Sequence, residues 1–137
     1  MVHLDFNTKL ILLLLIIFPK VSLASINNSA DMCFDEKTQY SVNLCLTHTL
    51  KNSMLKYEKA RKNFTDFVSG GIENSQKFKK LEKKSNKNWL SSIDNDCEMI
   101  AFKSGAEDSP LYNSEYTYCM LNKYNERIDF FKHNHHL

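Results

Sequence analysis

From about Thr38 onward, the apolar residues of this chain recur at helical spacing. Leu46, Leu50, Met54, Tyr57, Phe64 and Val68 follow i, i+4, i+8, i+11, i+18, i+22, a stripe along one side of a helix. Lys51, Lys59, Lys62 and Asp66 mostly fill the other side. The run stops at Ser69-Gly70-Gly71, where glycine can take the left-handed conformation that ends helices. A second helix is predicted from Asn74 or Ser75, both good N-caps. Its stripe is Phe78, Leu81, Trp89, Ile93, Cys97 and Ile100, with Ser85 as a polar member, and it should end at Lys103-Ser104-Gly105. The third helix has a clear start, Ser109 as N-cap and Pro110 at the first helical position. Tyr116, Cys119, Met120, Tyr124, Arg127 and Phe131 then share a broad face. Strand-type alternation of useful length is missing, and there is no internal repeat. The predicted fold is all-α, a bundle of about three main helices with a short extra segment at its start.

What precedes the helices sets the compartment. Residues 1–24 read as an export signal: a short n-region to Lys9, the apolar run Leu10 to Phe18, then Pro19 and Ser22-Leu23-Ala24 with small residues at the cleavage positions. The apolar run spans nine residues, too few to cross a bilayer, which needs ~20. No cysteine follows the cleavage site closely in a lipobox context. The chain is therefore expected in the periplasm or outside the cell, and not as an integral membrane protein. Residues 25–32 are polar and predicted to be a flexible leader. Residues 33–132 then form a single domain, and 133–137 a histidine-containing tail. From Ser25 onward, sixteen Lys and Arg face fifteen Asp and Glu, a balance that argues against a nucleic-acid partner.

The second half of the chain is a mirror. Cys97 and Cys119 each lie eleven positions from residue 108, and Trp89 and Arg127 each lie nineteen. A helical hairpin turning near 108 brings the cysteines level and, two turns further down, sets Trp89 opposite Arg127. That pair is predicted to be internal, an indole packed on a guanidinium.

The block Trp89-Leu90…Asp94…Cys97…Gly105…Cys119…Arg127-Ile128 resembles the second half of the LprI-type lysozyme inhibitor family, small exported bacterial proteins. Cys33, Thr38-Gln39, Asn43 and Cys45 look like that family's opening cysteine pair. Ile93 stands where the family usually has an arginine, and Tyr124 where a threonine usually precedes the arginine. The resemblance implies a disulfide-stapled helical fold and, as an activity, inhibition of a lysozyme.

Four cysteines in an exported chain imply two disulfides. The hairpin suggests Cys97–Cys119, leaving Cys33–Cys45; the other two connectivities stay open from the residues alone. The resemblance favours the sequential pairing. Twelve residues of continuous helix would hold Cys33 and Cys45 about 18 Å apart, against the ~6 Å a disulfide needs. With that pairing, the chain must fold back, around Asp35-Glu36-Lys37-Thr38.

Candidate chemistry is thin. A cysteine nucleophile beside His48 conflicts with an oxidising compartment and an even cysteine count. Asp94, Asp96 and Glu98 supply carboxylates, but three acids within five helical residues point in different directions, unlike a glycosidase pair. His133, His135 and His136 have the residue type for a transition metal, yet read best as a solvated terminus; no cofactor and no metal are expected. Charge is more informative. Residues 77–87 hold six lysines and one glutamate, and residues 94–116 hold six acids and one lysine. The acidic turn at 104–116 suits a basic, cleft-bearing enzyme such as a lysozyme. Glu107, Asp108, Tyr112, Glu115 and Tyr116 are the predicted contact residues, acting by steric occlusion. The alternative is an envelope-associated module that lays the Lys77–Lys87 face on anionic polymer or lipid.

Overall fold

The computed structural model describes residues 30–134. The predicted signal peptide, most of the predicted leader, and His135 and His136 lie outside the described residues. A 3-10 helix, Asp31–Asp35, precedes three α-helices: α1 Gln39–Gly70, α2 Ser75–Ala101 and α3 Pro110–Asn134. There is no strand among the described residues. Of the residues assigned to the leader, Ala30 is buried and Asp31 and Met32 belong to the 3-10 helix.

Each helix starts where its local chemistry says it should. Thr38, in extended conformation, accepts a hydrogen bond from the Ser41 amide through its hydroxyl, meeting one of the donors a helix start leaves open. Asn74 precedes α2 but contributes no side-chain bond. Ser109 Oγ accepts from the Tyr112 amide at 3.3 Å. The end of α1 departs from expectation. No glycine among the described residues has positive φ; Gly70 is still helical and Gly71 keeps a right-handed φ of −101°. Two adjacent glycines end the helix through their low propensity, and the Gly71 amide donates back to Val68 O at 3.2 Å.

Both disulfides are formed, Cys33–Cys45 and Cys97–Cys119, each with Cα atoms 5.5 Å apart. The fold-back between Cys33 and Cys45 is supplied by the 3-10 helix and by extended backbone at Glu36. No free cysteine remains among the described residues, which removes the thiol-nucleophile reading.

The helices run α1 up, α2 down, α3 up. α1 and α2 pair about the Gly70-Gly71 turn, through Tyr57 with Asn86 and Arg61 with Glu82. α2 and α3 pair about the 102–109 turn. α1 and α3 are therefore parallel neighbours, and theirs is the most extensive of the three contacts, that between α1 and α2 the slightest. Polar bonds fix their register. Gln39 and Asn43 donate to Pro110 O and bond Ser114 Oγ, and Ser53 Oγ donates to Asn125 Oδ1 at 3.1 Å.

α3 thus buries two sides. Tyr112 and Cys119 face α2; Ser114, Leu121 and Ile128 lie on the side toward α1, and all five are buried. The sequence reading had placed only one broad face here. It also placed Met54 inside, whereas Met54 is 43 % exposed and Ser53 is buried. Counting from Leu46, position 53 returns to within about 20° of the stripe while position 54 lies about 80° off it. On α2, Leu81 and Ile100 are likewise outward, and Ala101 takes the inner position.

The three helices meet at Tyr57, 1 % exposed. Its ring stacks on Trp89 at 5.1 Å and meets Tyr124 edge-on at 5.1 Å, and its hydroxyl donates to Asn86 Oδ1. Ile93 and Tyr124 both belong to this cluster. Trp89 and Arg127 do lie together: the guanidinium carbon is 5.5 Å from the indole centroid, 4.7 Å from Phe130 and 5.1 Å from Phe131. Such contacts contribute about 0.5–2 kcal/mol each. Arg127 Nε is buried with no hydrogen-bond partner, which costs about 1–3 kcal/mol.

Two stability measurements check this core. Trp89→Ala should cost about 3 kcal/mol in urea unfolding, the low end for a large aromatic because the indole is only half-buried. Tyr57→Phe should cost about 1 kcal/mol, the bond to Asn86. Burial, the largest influence, pushes the Tyr57 phenol up to about 12. A folded pKa above the unfolded value favours folding below pH ~10 and loses that contribution as pH rises toward 12. Stability of the wild type should therefore fall over that window, and fall less in Tyr57→Phe.

Candidate functional site

The acidic turn is built by short-range bonds. After Ala101 the chain tightens, with Lys103 N donating to Ile100 O at 3.1 Å and Ser104 N to Ala101 O at 2.9 Å. Gly105 is needed for space rather than for conformation: a Cβ there would stand 2.4 Å from Ser109 Oγ, the hydroxyl that caps α3. The left-handed residue of the turn is Asp108, at φ 62°, a conformation that aspartate and asparagine tolerate better than other non-glycine residues. Asn113 Nδ2 closes the turn on Asp108 O at 3.2 Å.

The five predicted contact residues separate into two groups. Glu107 and Asp108 are exposed at the tip, and Glu115 is half-exposed. Tyr112 is not an available ring: it is 7 % exposed, packed edge-on to Phe102 at 5.2 Å and stacked with Tyr116. Tyr116 is also engaged, its hydroxyl donating to Asp94 Oδ1 across the hairpin. Burial, and then that bond, drive its phenol well above the usual tyrosine range. The turn's tyrosines therefore hold α2 against α3. Both project to the same side of α3 as Cys119, toward α2; the predicted face grouped Tyr116 with Cys119 but left out Tyr112.

In their place the structure provides a concave surface. A cleft of about 510 Å³ opens between the 36–38 loop, the start of α1 and the start of α3. Phe34, Val42 and Leu111 give it an apolar side, and Glu36 and Glu115 give it carboxylates, with Lys37 at its edge. Phe34 is 47 % and Leu111 55 % exposed. Phe34 is set by an edge-on contact with Tyr118 at 5.2 Å. Phe34 and Leu111 were both missed from sequence. The available signal was position: Leu111 is an apolar residue in the first turn of a helix, next to Pro110, and Phe34 directly follows a disulfide cysteine. The N-termini of α1 and α3 both lie at this end of the bundle.

The other candidates are scattered or engaged. Asp94, Asp96 and Glu98 are exposed on α2 and form no facing pair. Lys77, Lys79, Lys80, Lys83, Lys84 and Lys87 are all exposed, and none is within ion-pair distance of a carboxylate among the described residues. His133 is inside α3, its Nδ1 donating to Asp129 O at 2.7 Å. No cluster of three metal-binding side chains occurs among the described residues. No described helix is long and apolar enough to cross a membrane.

Compared with protein-family models, curated proteins and solved structures, the chain matches none. Thr38 caps α1, and Gln39 and Asn43 join it to α3.

The turn's geometry makes a measurable claim. Gly105→Ala should cost about 1 kcal/mol, because the Ser109 hydroxyl must leave the Tyr112 amide. In a Ser109→Ala background the added cost should nearly vanish, since the methyl then meets the Cβ of position 109 at 3.5 Å and Tyr112 N at 3.9 Å, both ordinary contacts. Equal costs in both backgrounds would show that the hydroxyl is not what Gly105 accommodates.

Proposed function

We propose that this chain is an exported binding module that acts on a macromolecule without turning over a substrate, and that the cleft at its acidic end engages a basic protein. The observation that carries this reading is the cleft itself: exposed Phe34 and Leu111 beside Glu36 and Glu115, with Glu107 and Asp108 on the adjoining tip. Exposed apolar anchors beside a mainly acidic surface, with Lys37 also in the lining, suit a specific protein contact, the apolar side chains for slow dissociation and the charge for fast, oriented encounter. A lysozyme is the leading partner, because it is basic and because of the LprI-type resemblance. Inhibition would then be steric, with this end of the bundle covering the enzyme's cleft. Export rests on the predicted signal peptide and agrees with two formed disulfides.

The test is titration of the chain against several lysozymes, read as slowed clearing of bacterial walls. Inhibition should be near-stoichiometric and weaken with salt, as the Debye length falls from ~10 Å at 0.1 M to ~3 Å at 1 M. Leu111→Ala should speed dissociation about tenfold (~1.4 kcal/mol). Glu107→Lys with Glu115→Lys should instead slow association. Charge removal at position 108 is best made as Asp108→Asn, since lysine in the left-handed conformation adds about 1–2 kcal/mol of strain. No inhibition by the wild type at micromolar concentration would overturn the lysozyme reading.

A second reading has its own observation. The exposed, unpaired lysines of residues 77–87 suit an anionic envelope polymer, and binding through them would appear as salt-sensitive pelleting with purified envelope.

A further inference from the structure

At the end of the bundle opposite the acidic cleft, a groove of about 200 Å³ lies where all three helices come together. Its walls are the rings of Phe64 from α1, Phe78 from α2, and Phe130 and Phe131 from α3, with Leu81 at the rim. Leu81 is 64 % and Phe130 45 % exposed, so apolar surface is open to solvent here. Arg127 also lines the groove. Its guanidinium lies against the faces of Phe130 and Phe131 and, among the described residues, makes no ion pair and has a buried Nε without an acceptor.

The surrounding acids cannot serve that cation. Glu82, the acid in the groove wall, is held by Arg61 through both carboxylate oxygens, at 3.0 and 3.4 Å. On α3, Glu126 pairs with Lys123 and Asp129 with Lys132. On α1, Asp66 pairs with Lys62. Around the rim the charge is positive: Lys77 and Lys84 stand four residues before and three after Leu81, on its side of α2. Apolar walls, an unpaired guanidinium and a lysine rim together describe a ligand with a hydrocarbon chain and an anionic head.

We propose that this groove binds a single anionic amphiphile, a medium-chain carboxylate whose chain lies among the phenylalanines and whose head meets Arg127. A carboxylate suits a guanidinium because it can accept two parallel hydrogen bonds. The size is set by the space. A group of ~30 Å³ is about the volume of a water in the liquid, so about 200 Å³ takes about seven groups of methylene size. A second copy of the chain is the less fitting occupant. In a two-fold interface each surface meets itself, so residues 77–87, with six lysines and one glutamate, would face their own like charge. The proposal is independent of the protein-partner reading, which uses the other end of the molecule.

Trp89 is the chain's single tryptophan and stands 5.5 Å from the Arg127 guanidinium, so it reports on the site. The oxidised chain is titrated with hexanoate, octanoate, decanoate and dodecanoate, below their micellar concentrations, by tryptophan fluorescence and calorimetry. Binding should be one to one and tighten about fourfold per added methylene until the groove is filled. Decanol and decyltrimethylammonium should bind at least tenfold more weakly than decanoate. Leu81→Glu, at an exposed position, should weaken decanoate at least tenfold without lowering the melting temperature. Arg127→Lys should keep part of the affinity that Arg127→Met loses. Should the Arg127 variants fail to fold, Leu81→Glu and the head-group series decide the matter alone. No decanoate binding, equal binding of decanol, indifference to Leu81→Glu, or a concentration-dependent dimer that closes the groove would each overturn the proposal.

Discussion

The bundle depends on the burial of one phenol. Tyr57 is where α1, α2 and α3 touch the same side chain, through Trp89 and Asn86 on α2 and Tyr124 and Phe131 on α3. Elsewhere α1 and α2 meet through the Arg61–Glu82 pair and the edge-on rings of Phe64 and Phe78, and α3 is the common neighbour. A three-helix arrangement with one weak side would be free to slide or splay there. An aromatic ring stacked on one helix and edge-on to another fixes distance and rotation together, because ring pairs have preferred geometries as well as area. The bond from its hydroxyl to Asn86 adds direction, and also makes a misplaced register expensive, since it would leave a buried polar group unsatisfied.

The covalent constraints sit elsewhere. Both disulfides lie toward the end where α1 and α3 begin and α2 finishes. The Cys97–Cys119 bridge closes a loop of 22 residues, contributing roughly 3 kcal/mol in the chain-entropy account. That end also carries the capped helix starts and the polar bonds from Gln39 and Asn43 to α3. The opposite end has neither a bridge nor a side-chain cap on α2, and is held by phenylalanines and the Arg127 stack. The molecule is therefore stapled at its acidic end and packed only by side chains at its basic one.

This division explains what was legible in the sequence. Helix starts were readable because they are local: Thr38, Ser109 and Pro110 act within one turn. The hairpin was readable because Cys97, Cys119, Trp89 and Arg127 are symmetric about one residue, so a single turn specifies all four. The parallel pairing of α1 with α3 was not, since it is set by Ser53, Asn125 and Ser114, short polar residues that periodicity counts as outward. The same limit hid the site. Tyr116 shares a face with Cys119 yet sits in an acidic stretch, and Tyr112 looks like a surface aromatic there; the contact of α3 with α2 turns both inward. Phe34 and Leu111 become a pair only once the 3-10 helix is folded back by its disulfide.

The separation of charge gives the two ends a relation. From Ser25 onward positive and negative residues nearly cancel, so the chain as a whole is not drawn strongly to either sign. α3 alone is 25 residues long, about 37 Å at the helical rise, several Debye lengths at physiological salt. At that distance the acidic cleft and the lysine rim do not screen one another and act as separate poles. A polarised rod near an anionic surface turns its basic pole inward. The same torque directs the acidic cleft outward, toward the solution from which a basic protein would arrive. Contact with an anionic envelope and contact with a cationic partner are then compatible within one molecule. On the proposed reading, the lysines that would be idle decoration in a pure inhibitor would orient the molecule.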